Sequence, residues 1–201
     1  MPSVYQLKPA FQRLLRPLVR ALAARGVTAN QATVSGVVLS IACGVWLWLQ
    51  PTSVWALAAV PATLFLRMVV NAMDGMLARE HNMQSRLGAT LNELGDVISD
   101  AALYLPFARV PGVPVWGVIV VVVLAGIAEL AGVMGQVVSG ERRYDGPMGK
   151  SDRAVLFGVM AIALALGWQG GMVAKVVLAI AVLLLVMTVY NRVRRSVARA
   201  G

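Results

Sequence analysis

Charged side chains are scarce in this sequence, and acidic ones are the scarcest. Only 13% of the 201 residues are charged, with 9 acidic residues against 18 lysines and arginines. The chain has one cysteine and one histidine, which excludes a disulfide framework and a thiolate metal site. Polar residues of other kinds are also few, because 59% of the chain is hydrophobic and its mean hydropathy is +0.75. A soluble globular protein of this size is therefore excluded.

Apolar runs of about 20 residues, the length that a helix needs to cross the hydrocarbon of a bilayer, recur along the chain. The sequence predicts an all-α polytopic membrane protein made of a single domain over residues 1–201. Residues 1–28 should form an amphipathic helix in the membrane interface, because arginines and leucines there fall on opposite sides. A bundle of six transmembrane helices should occupy about 31–192, followed by a basic tail over 193–201. The six spans are predicted near 31–50, 54–80, 87–108, 113–138, 152–169 and 171–192.

The net charge of +9 is better explained by membrane topology than by nucleic-acid binding. Most lysines and arginines lie in the N-terminal segment, in the loops 80–86 and 139–151, and in the C-terminal tail. By the positive-inside rule we expect both termini and these two loops on the cytoplasmic side. We therefore expect an integral protein of the lipid bilayer, in a bacterial inner membrane, with no nucleic-acid partner.

Five of the nine acidic residues lie in the second and third predicted spans. At helical spacing, Asn71 and Asp74 share one face of the second span, and Asn92, Asp96 and Asp100 share one face of the third. Each ionised carboxylate costs about 2.5–3.5 kcal/mol at bilayer depth. Bound Mg²⁺ or Mn²⁺ would offset this cost through oxygen ligands, and protonation or hydrogen bonding in a wet cavity is the alternative. We predict that Asn71, Asp74, Asn92, Asp96 and Asp100 form a metal site.

The stretch 71–96 resembles the motif of the CDP-alcohol phosphotransferases, Asp-x2-Asp-Gly-x2-Ala-Arg-x8-Gly-x3-Asp-x3-Asp. Six of its eight named positions match at the required spacings, and the motif covers 26 residues. The first and third aspartates of the motif are replaced by Asn71 and Asn92. Further likeness lies in residues 28–33 and 146–153. The matching positions are Asp74, Gly75, Ala78, Arg79, Gly88 and Asp96.

The resemblance implies an integral-membrane transferase that moves a phosphatidyl group from CDP-diacylglycerol to a small alcohol and releases CMP. It implies Asp96 as the catalytic base, Mg²⁺ or Mn²⁺ as the cofactor, a homodimer as the assembly, and an active-site mouth on the cytoplasmic side. The residues that it implies for binding the nucleotide and diphosphate are Gly75, Ala78, Arg79, Gly88, Asn30 and Thr33.

A second basic group lies in the loop 139–151 and at the start of the fifth span. By analogy with family members whose acceptor is a phosphate monoester, it is expected to bind the acceptor, with glycerol 3-phosphate or an inositol phosphate favoured. Membrane topology alone is the alternative explanation for these charges. The residues concerned are Arg142, Arg143, Lys150 and Arg153.

Two other functions remain open at this point. The replacements Asn71 and Asn92 remove two negative charges from the motif, which permits a lipid-binding pseudoenzyme without turnover. Intramembrane carboxylates also line the paths of cation carriers, although here the acids are concentrated on two helices instead of being spread through the membrane. Arg67 and Glu129 are further charged residues inside predicted spans, and the motif assigns no role to either.

Overall fold

The computed structural model of the chain describes residues 4–198, with side chains described from residue 10 onwards. The described residues form seven α-helices and one 3₁₀ helix and contain no strand, which confirms the predicted all-α class. The predicted segments 1–28 and 193–201 include residues 1–3 and 199–201, which lie outside the described residues. The helices are α1 (Val4–Ala24), α2 (Ala29–Leu49), α3 (Val54–Glu80), α4 (Arg86–Tyr104), the 3₁₀ helix (Leu105–Arg109), α5 (Val115–Ser139), α6 (Lys150–Ala165) and α7 (Gly171–Ala198).

A helix occupies each of the six predicted spans. Within the described residues, α2, α3, α5 and α7 are long and apolar enough to cross a membrane. The other two helices depart from that standard for different reasons: α6 has only 16 residues, and α4 carries several charged residues within its 19. The chain is therefore a membrane protein with four helices of spanning character, and the count of six spans stays a prediction.

Side-chain caps fix where the helices α2 and α4 begin. The backbone N–H of Gln31 donates to Thr28 Oγ1 at 3.2 Å, and the backbone N–H of Thr28 donates to Gln31 Oε1 at 2.9 Å. This reciprocal arrangement is a capping box, which satisfies N–H groups that the first helical turn leaves unpaired. At α4 the backbone N–H of Gly88 donates to Ser85 Oγ at 2.9 Å. The first turns of both helices are thus set by local sequence.

The chain folds into two compact units, each assembled from separated segments. Within the described residues, the first unit comprises 4–40 and 63–99, and the second comprises 41–62 and 100–198. The boundaries fall inside α2, α3 and α4. The units are consequently not successive domains along the sequence.

Apolar packing in the first unit joins α1 to the C-terminal part of α3. Leu15 and Val19 of α1 are buried in one cluster with residues of α2 and α3. An ion pair at 3.0 Å between Arg16 Nη2 and Glu80 Oε1 adds a polar contact between α1 and α3. The hydrogen bond to Glu80, and after it the charge of that carboxylate, raises the pKa of Arg16, so this side chain stays cationic.

The second unit has an aromatic core and a close helix contact. The ring of Tyr104 stacks on Phe157 with centroids 4.1 Å apart, and Phe107 meets the same ring edge-on at 5.1 Å. A Cβ atom at Gly44 would lie 2.0 Å from the carbonyl oxygen of Ala102. Only glycine therefore allows α2 to approach α4 at this point.

Candidate active site

A cavity of about 830 Å³ lies in the first unit, bordered by α1, α2, α3 and the start of α4. All six residues predicted for nucleotide and diphosphate binding line it, as do three of the predicted metal ligands. Phe11 and Gln12 of α1 complete part of the wall, and neither belongs to the family motif. The predicted residues in the wall are Asn30, Thr33, Asn71, Asp74, Gly75, Ala78, Arg79, Gly88 and Asn92.

Asp74 is the buried carboxylate of this cavity. Its side chain belongs to α3, only 7% of the residue is exposed, and its Oδ2 accepts a hydrogen bond from the hydroxyl of Thr33 at 2.8 Å. A hydrogen bond to a charged acceptor holds the carboxylate in one orientation. Thr33 thus connects α2 to the first matching acid of the motif.

Asp96 on α4 faces two side chains of α3. The Nδ2 atom of Asn71 lies 3.4 Å from Asp96 Oδ1, and Nη2 of Arg67 lies 3.7 Å from the same oxygen. The two motif helices therefore meet through Asn71 and Asp96. Arg67 is the participant that the motif did not include.

Gly75 makes room for the guanidinium of Arg79 on the surface of α3. A Cβ atom at Gly75 would lie 2.9 Å from Arg79 Nη2 and 3.3 Å from Nη1. The arginine side chain thus folds back over the glycine, one turn earlier in the helix, and presents its donors at the cavity wall. A guanidinium in this position suits the oxygens of a diphosphate.

Gly88 serves the same purpose at the start of α4. A Cβ atom there would lie 2.7 Å from Asn30 Oδ1 and 3.0 Å from Ser85 Oγ. The absence of a side chain lets the amide of Asn30 approach the first turn of α4. The motif glycines are thus explained by close contacts inside the cavity wall.

The oxygen atoms that these residues offer are ligands of the kind that a hard divalent cation prefers, but few of them carry a negative charge. Asp74 and Asp96 supply carboxylate oxygens, while Asn71 and Asn92 supply amide oxygens, and oxygen ligands are those that Mg²⁺ and Mn²⁺ prefer. Among residues 10–198, no three histidine, cysteine, aspartate or glutamate side chains are grouped so as to hold a metal ion. A metal here must therefore rely on amides for part of its shell.

Asp100, the fifth predicted ligand, belongs to the second unit. Its Oδ2 accepts a hydrogen bond at 2.9 Å from Nη2 of Arg153, a residue that is fully buried. The same Nη2 also lies 2.9 Å from Glu129 Oε1. Asp100 is thus held in an ion-pair network, and its role as a metal ligand stays a prediction.

Glu129 of α5 is the centre of that network, which we call the Glu129 cluster (Asp100, Glu129, Arg142, Arg153 and Arg192). Arg142 Nη2 lies 3.1 Å from Glu129 Oε2, and Arg192 Nη1 lies 3.6 Å from it. Arg192 also donates to the carbonyl oxygen of Ala128. Three guanidinium groups and two carboxylates leave the cluster with one net positive charge.

The remaining two residues predicted to bind the acceptor, Arg143 and Lys150, are close in sequence to members of the Glu129 cluster but have different surroundings. Arg143 is buried, and its Nη2 donates to Ser139 Oγ at 3.1 Å, while its Nη1 lies 3.6 Å from Glu141. Lys150 is the first residue of α6. Of the four residues predicted to bind the acceptor, Arg142 and Arg153 meet at Glu129.

Arg67, Glu129 and Arg192 are the charged residues at these sites that sequence reasoning left without a role. Arg67 is 4% exposed and Arg192 is 2% exposed, so both guanidinium groups are buried. The signal that pointed to the first two was their position inside apolar spans, since intramembrane charges pair with one another and mark functional places. Arg192 stood at the predicted end of the last span, where topology alone explained it.

The chain matches the family model described as CDP-alcohol phosphatidyltransferase over residues 26–192. Inner membrane protein YnbA of Escherichia coli is 45% identical over 192 residues, which cover 96% of this chain and 95% of that protein. Phosphatidylinositol phosphate synthase of Mycobacterium tuberculosis is 30% identical over 97 residues, which cover 48% of this chain and 43% of that protein.

Solved structures show the same fold. The crystal structure of Mycobacterium tuberculosis phosphatidylinositol phosphate synthase with CDP-DAG bound gives a TM-score of 0.76 at 21% identity, covering 92% of this chain and 94% of that one. A structure of the same protein with manganese and citrate gives a TM-score of 0.74 at 21% identity, covering 90% and 87%. At this identity the likeness establishes the architecture alone.

Proposed function

The chain belongs to the CDP-alcohol phosphatidyltransferase family, and we propose that it transfers the phosphatidyl group of CDP-diacylglycerol to a small alcohol. The observation that carries this proposal is the cavity of the first unit, whose wall contains every residue that the motif implies for the nucleotide and diphosphate. Its volume of about 830 Å³ suits a nucleotide-sized headgroup. The phosphatidylinositol phosphate synthase crystallised with CDP-DAG supports this choice of donor.

The side chains of the cavity, together with Asp96, which contacts Asn71 of the wall, have complementary tasks in such a transfer. Arg79 would bind oxygens of the diphosphate, with Gly75 leaving the room that its guanidinium occupies. Ala78, whose side chain is small, would let the nucleotide approach α3 closely. The oxygen of the acceptor hydroxyl attacks the lipid-side phosphorus, and the bond between that phosphorus and the departing CMP oxygen breaks. Asp96 takes the proton of the hydroxyl as general base. The products are the new phospholipid and CMP.

A divalent cation would be held by Asp74 with help from Asn71, Asn92 and Asp96, and we propose Mg²⁺ or Mn²⁺. When bound, it supplies neutralisation of the diphosphate charge. The protein orients the carboxylate for this purpose through the hydrogen bond from Thr33 to Asp74. The structure of the mycobacterial synthase with manganese supports this choice of cofactor.

The reaction is tested with purified protein in lipid nanodiscs, supplied with CDP-diacylglycerol, Mg²⁺ or Mn²⁺, and a panel of alcohols. We expect CMP release that depends on one acceptor and on the metal, and a phospholipid product that contains that acceptor. The matched control is Asp96→Asn, which retains the shape of the side chain and removes the base. Folded protein that releases no CMP with any acceptor contradicts the proposal.

For the acceptor we favour glycerol 3-phosphate or an inositol phosphate, bound by Arg142, Arg143, Lys150 and Arg153. The Glu129 cluster supports an anionic acceptor, because it retains one positive charge after its two carboxylates are counted. Glu129 itself competes with an incoming phosphate for the same guanidinium donors.

The variant Glu129→Gln tests this assignment. Because it removes the competing negative charge, we expect KM for glycerol 3-phosphate to fall several-fold, while KM for CDP-diacylglycerol is unchanged. Glycerol serves as the matched uncharged acceptor, and the KM for glycerol should not fall. Equal effects on the two acceptors, in a variant with an unchanged unfolding temperature, argue against a phosphate site in the Glu129 cluster.

A second candidate function, a lipid-binding pseudoenzyme, is favoured by one observation: amides stand at two motif positions in the cavity wall. Aspartate restored at Asn71 and Asn92 distinguishes the two functions. A wild type that turns over excludes the pseudoenzyme. A silent wild type whose double aspartate variant releases CMP supports it.

We further propose that the chain forms six transmembrane helices in a bacterial inner membrane, with α1 in the interface and both termini and the cavity mouth cytoplasmic. The exposed leucines of α1, Leu14 and Leu18, support its place in the interface. The relative YnbA, named as an inner membrane protein, supports the choice of membrane. A homodimer is the proposed assembly. Labelling of single cysteines introduced in the loops 80–86 and 110–114 tests the orientation, since only the second should react from the periplasmic side.

A further inference from the structure

Arg67 is a buried cation in the middle of an apolar helix. It belongs to α3, which is long and apolar enough to span a membrane, and only 4% of the residue is exposed. A guanidinium in such surroundings is costly without a counter-charge, so it faces a carboxylate or a water-filled cavity. Its Nη2 lies 3.7 Å from Oδ1 of Asp96. A carboxylate that faces Arg67 as an ion-pair partner is therefore the one proposed as the base.

The same oxygen of Asp96 also receives a second group from α3. Nδ2 of Asn71 lies 3.4 Å from Oδ1, and Arg67 and Asn71 are four residues apart, so they share one face of the helix. Only 17% of the Asp96 side chain and 5% of the Arg67 side chain are exposed. The pair is thus shielded from water. In such buried surroundings, charges act on each other over longer distances than at a surface.

The charge balance of the site follows from these contacts. At the four acidic positions of the family motif, this chain has two carboxylates, Asp74 and Asp96, and two neutral amides. Arg67 reduces the sum of these side chains to a single negative charge, before the positive charge of Arg79 in the cavity wall is counted. One divalent cation already exceeds that charge, and a second would add two more positive charges in a region of low dielectric constant.

The geometry points to Arg67 as the fixed cation of this site: it neutralises and positions Asp96, so that the cavity binds one divalent ion at Asp74 instead of two. The inference rests on the proposed function for the identity of the site. In sites that hold two metal ions, both ions neutralise charge around the reacting groups. Here a guanidinium that is part of the chain takes one of these places, and Arg67 acts as a positioning residue through Asp96.

The experiment counts metal ions without using turnover. Mn²⁺ is titrated into the full-length protein in nanodiscs of zwitterionic lipid, and free Mn²⁺ is measured by its electron paramagnetic resonance signal. We expect one site per chain for the wild type. Arg67→Met should bind a second Mn²⁺, or bind the first at least about tenfold more tightly, because a repelling charge has been removed. Arg67→Lys keeps the charge and should behave as the wild type.

Two further variants make the test specific. Arg194→Met removes an exposed arginine of α7 and should leave the Mn²⁺ isotherm unchanged. Asn71→Asp keeps Arg67 and adds a negative charge beside Asp96, so it should tighten Mn²⁺ binding even if Arg67→Met fails to fold. Two Mn²⁺ ions in the wild type, or a folded Arg67→Met protein with the isotherm of the wild type, overturns the inference. If the protein binds one Mn²⁺ but releases no CMP, the result counts against the proposed function and leaves the inference standing.

Discussion

Replacement of Gly75 by alanine isolates the contribution of Arg79 to donor binding. The added methyl group would stand 2.9 Å from Nη2 and 3.3 Å from Nη1 of Arg79, and both atoms belong to the far end of a flexible side chain. The guanidinium therefore moves away, and no backbone has to shift. The helix itself gains from the change, because alanine is favoured over glycine in a helix interior by about 0.8–1.0 kcal/mol. We expect a protein that unfolds at the same or a higher temperature.

The expected loss is confined to the diphosphate. A hydrogen bond to a charged group contributes about 1.5–3 kcal/mol, so displacement of Arg79 should lower kcat/KM for CDP-diacylglycerol by about 10- to 150-fold. The assay is CMP release at varied CDP-diacylglycerol, together with thermal unfolding in the same detergent. The direct affinity for CMP gives a readout that does not depend on the acceptor.

A double-mutant cycle with Arg79→Gln supplies the control. If Gly75→Ala acts through the guanidinium, the double variant should be no worse than Arg79→Gln alone, because the same interaction is removed only once. Losses that add in the double variant refute the mechanism. So does a Gly75→Ala protein that binds the donor normally while Arg79→Gln does not.

Three further outcomes follow from single contacts. Asp96→Asn should abolish turnover while the affinity for CMP changes little, as measured by CMP release and by calorimetric titration with CMP; retained turnover contradicts the role of the base. Thr33→Val, which loses the hydroxyl bonded to Asp74, should weaken Mn²⁺ binding by about 5- to 10-fold, and Thr33→Ser should restore it. Gly44→Ala should reduce the free energy of unfolding by about 3 kcal/mol, because its Cβ would meet the carbonyl oxygen of Ala102 and not a mobile side chain. Thermal unfolding measures this loss, and an unchanged unfolding temperature would show that the helices move apart.

The positions of the helices could be predicted well from the sequence, because apolar runs and their polar breaks determine them. The predicted span 54–80 coincides with α3 (Val54–Glu80), and the predicted spans 31–50 and 113–138 lie within a few residues of α2 and α5. The capping box of Thr28 and Gln31 explains why α2 begins where it does. The division into two units could not be predicted, since its boundaries fall inside helices where composition does not change.

The cavity could be predicted to a large extent from the motif, since its residues are close in sequence and lie on adjoining helices. The side chain that each carboxylate contacts could not be predicted from the motif. Asp96 and Asp100 are four residues apart and share a helix face by spacing, yet Asp96 meets Arg67 whereas Asp100 is bonded to Arg153. A periodicity of side chains gives the face of a helix but not the neighbour that each turn meets. That information is carried by contacts that are distant in sequence.

Intramembrane charges offer a way to recover part of that information. A charged residue inside a span costs about 2.5–3.5 kcal/mol, a large share of the stability of a domain, so the fold has to provide a partner for it. In this chain Arg67 is paired with Asp96, and Glu129 with Arg142 and Arg153. With nine acidic residues in the whole chain, the choice of partner for each buried arginine is narrow. An arginine one helical turn before a polar motif position therefore predicts an ion pair with the acids of the facing helix, and the charge available to a metal has to be counted with that arginine included.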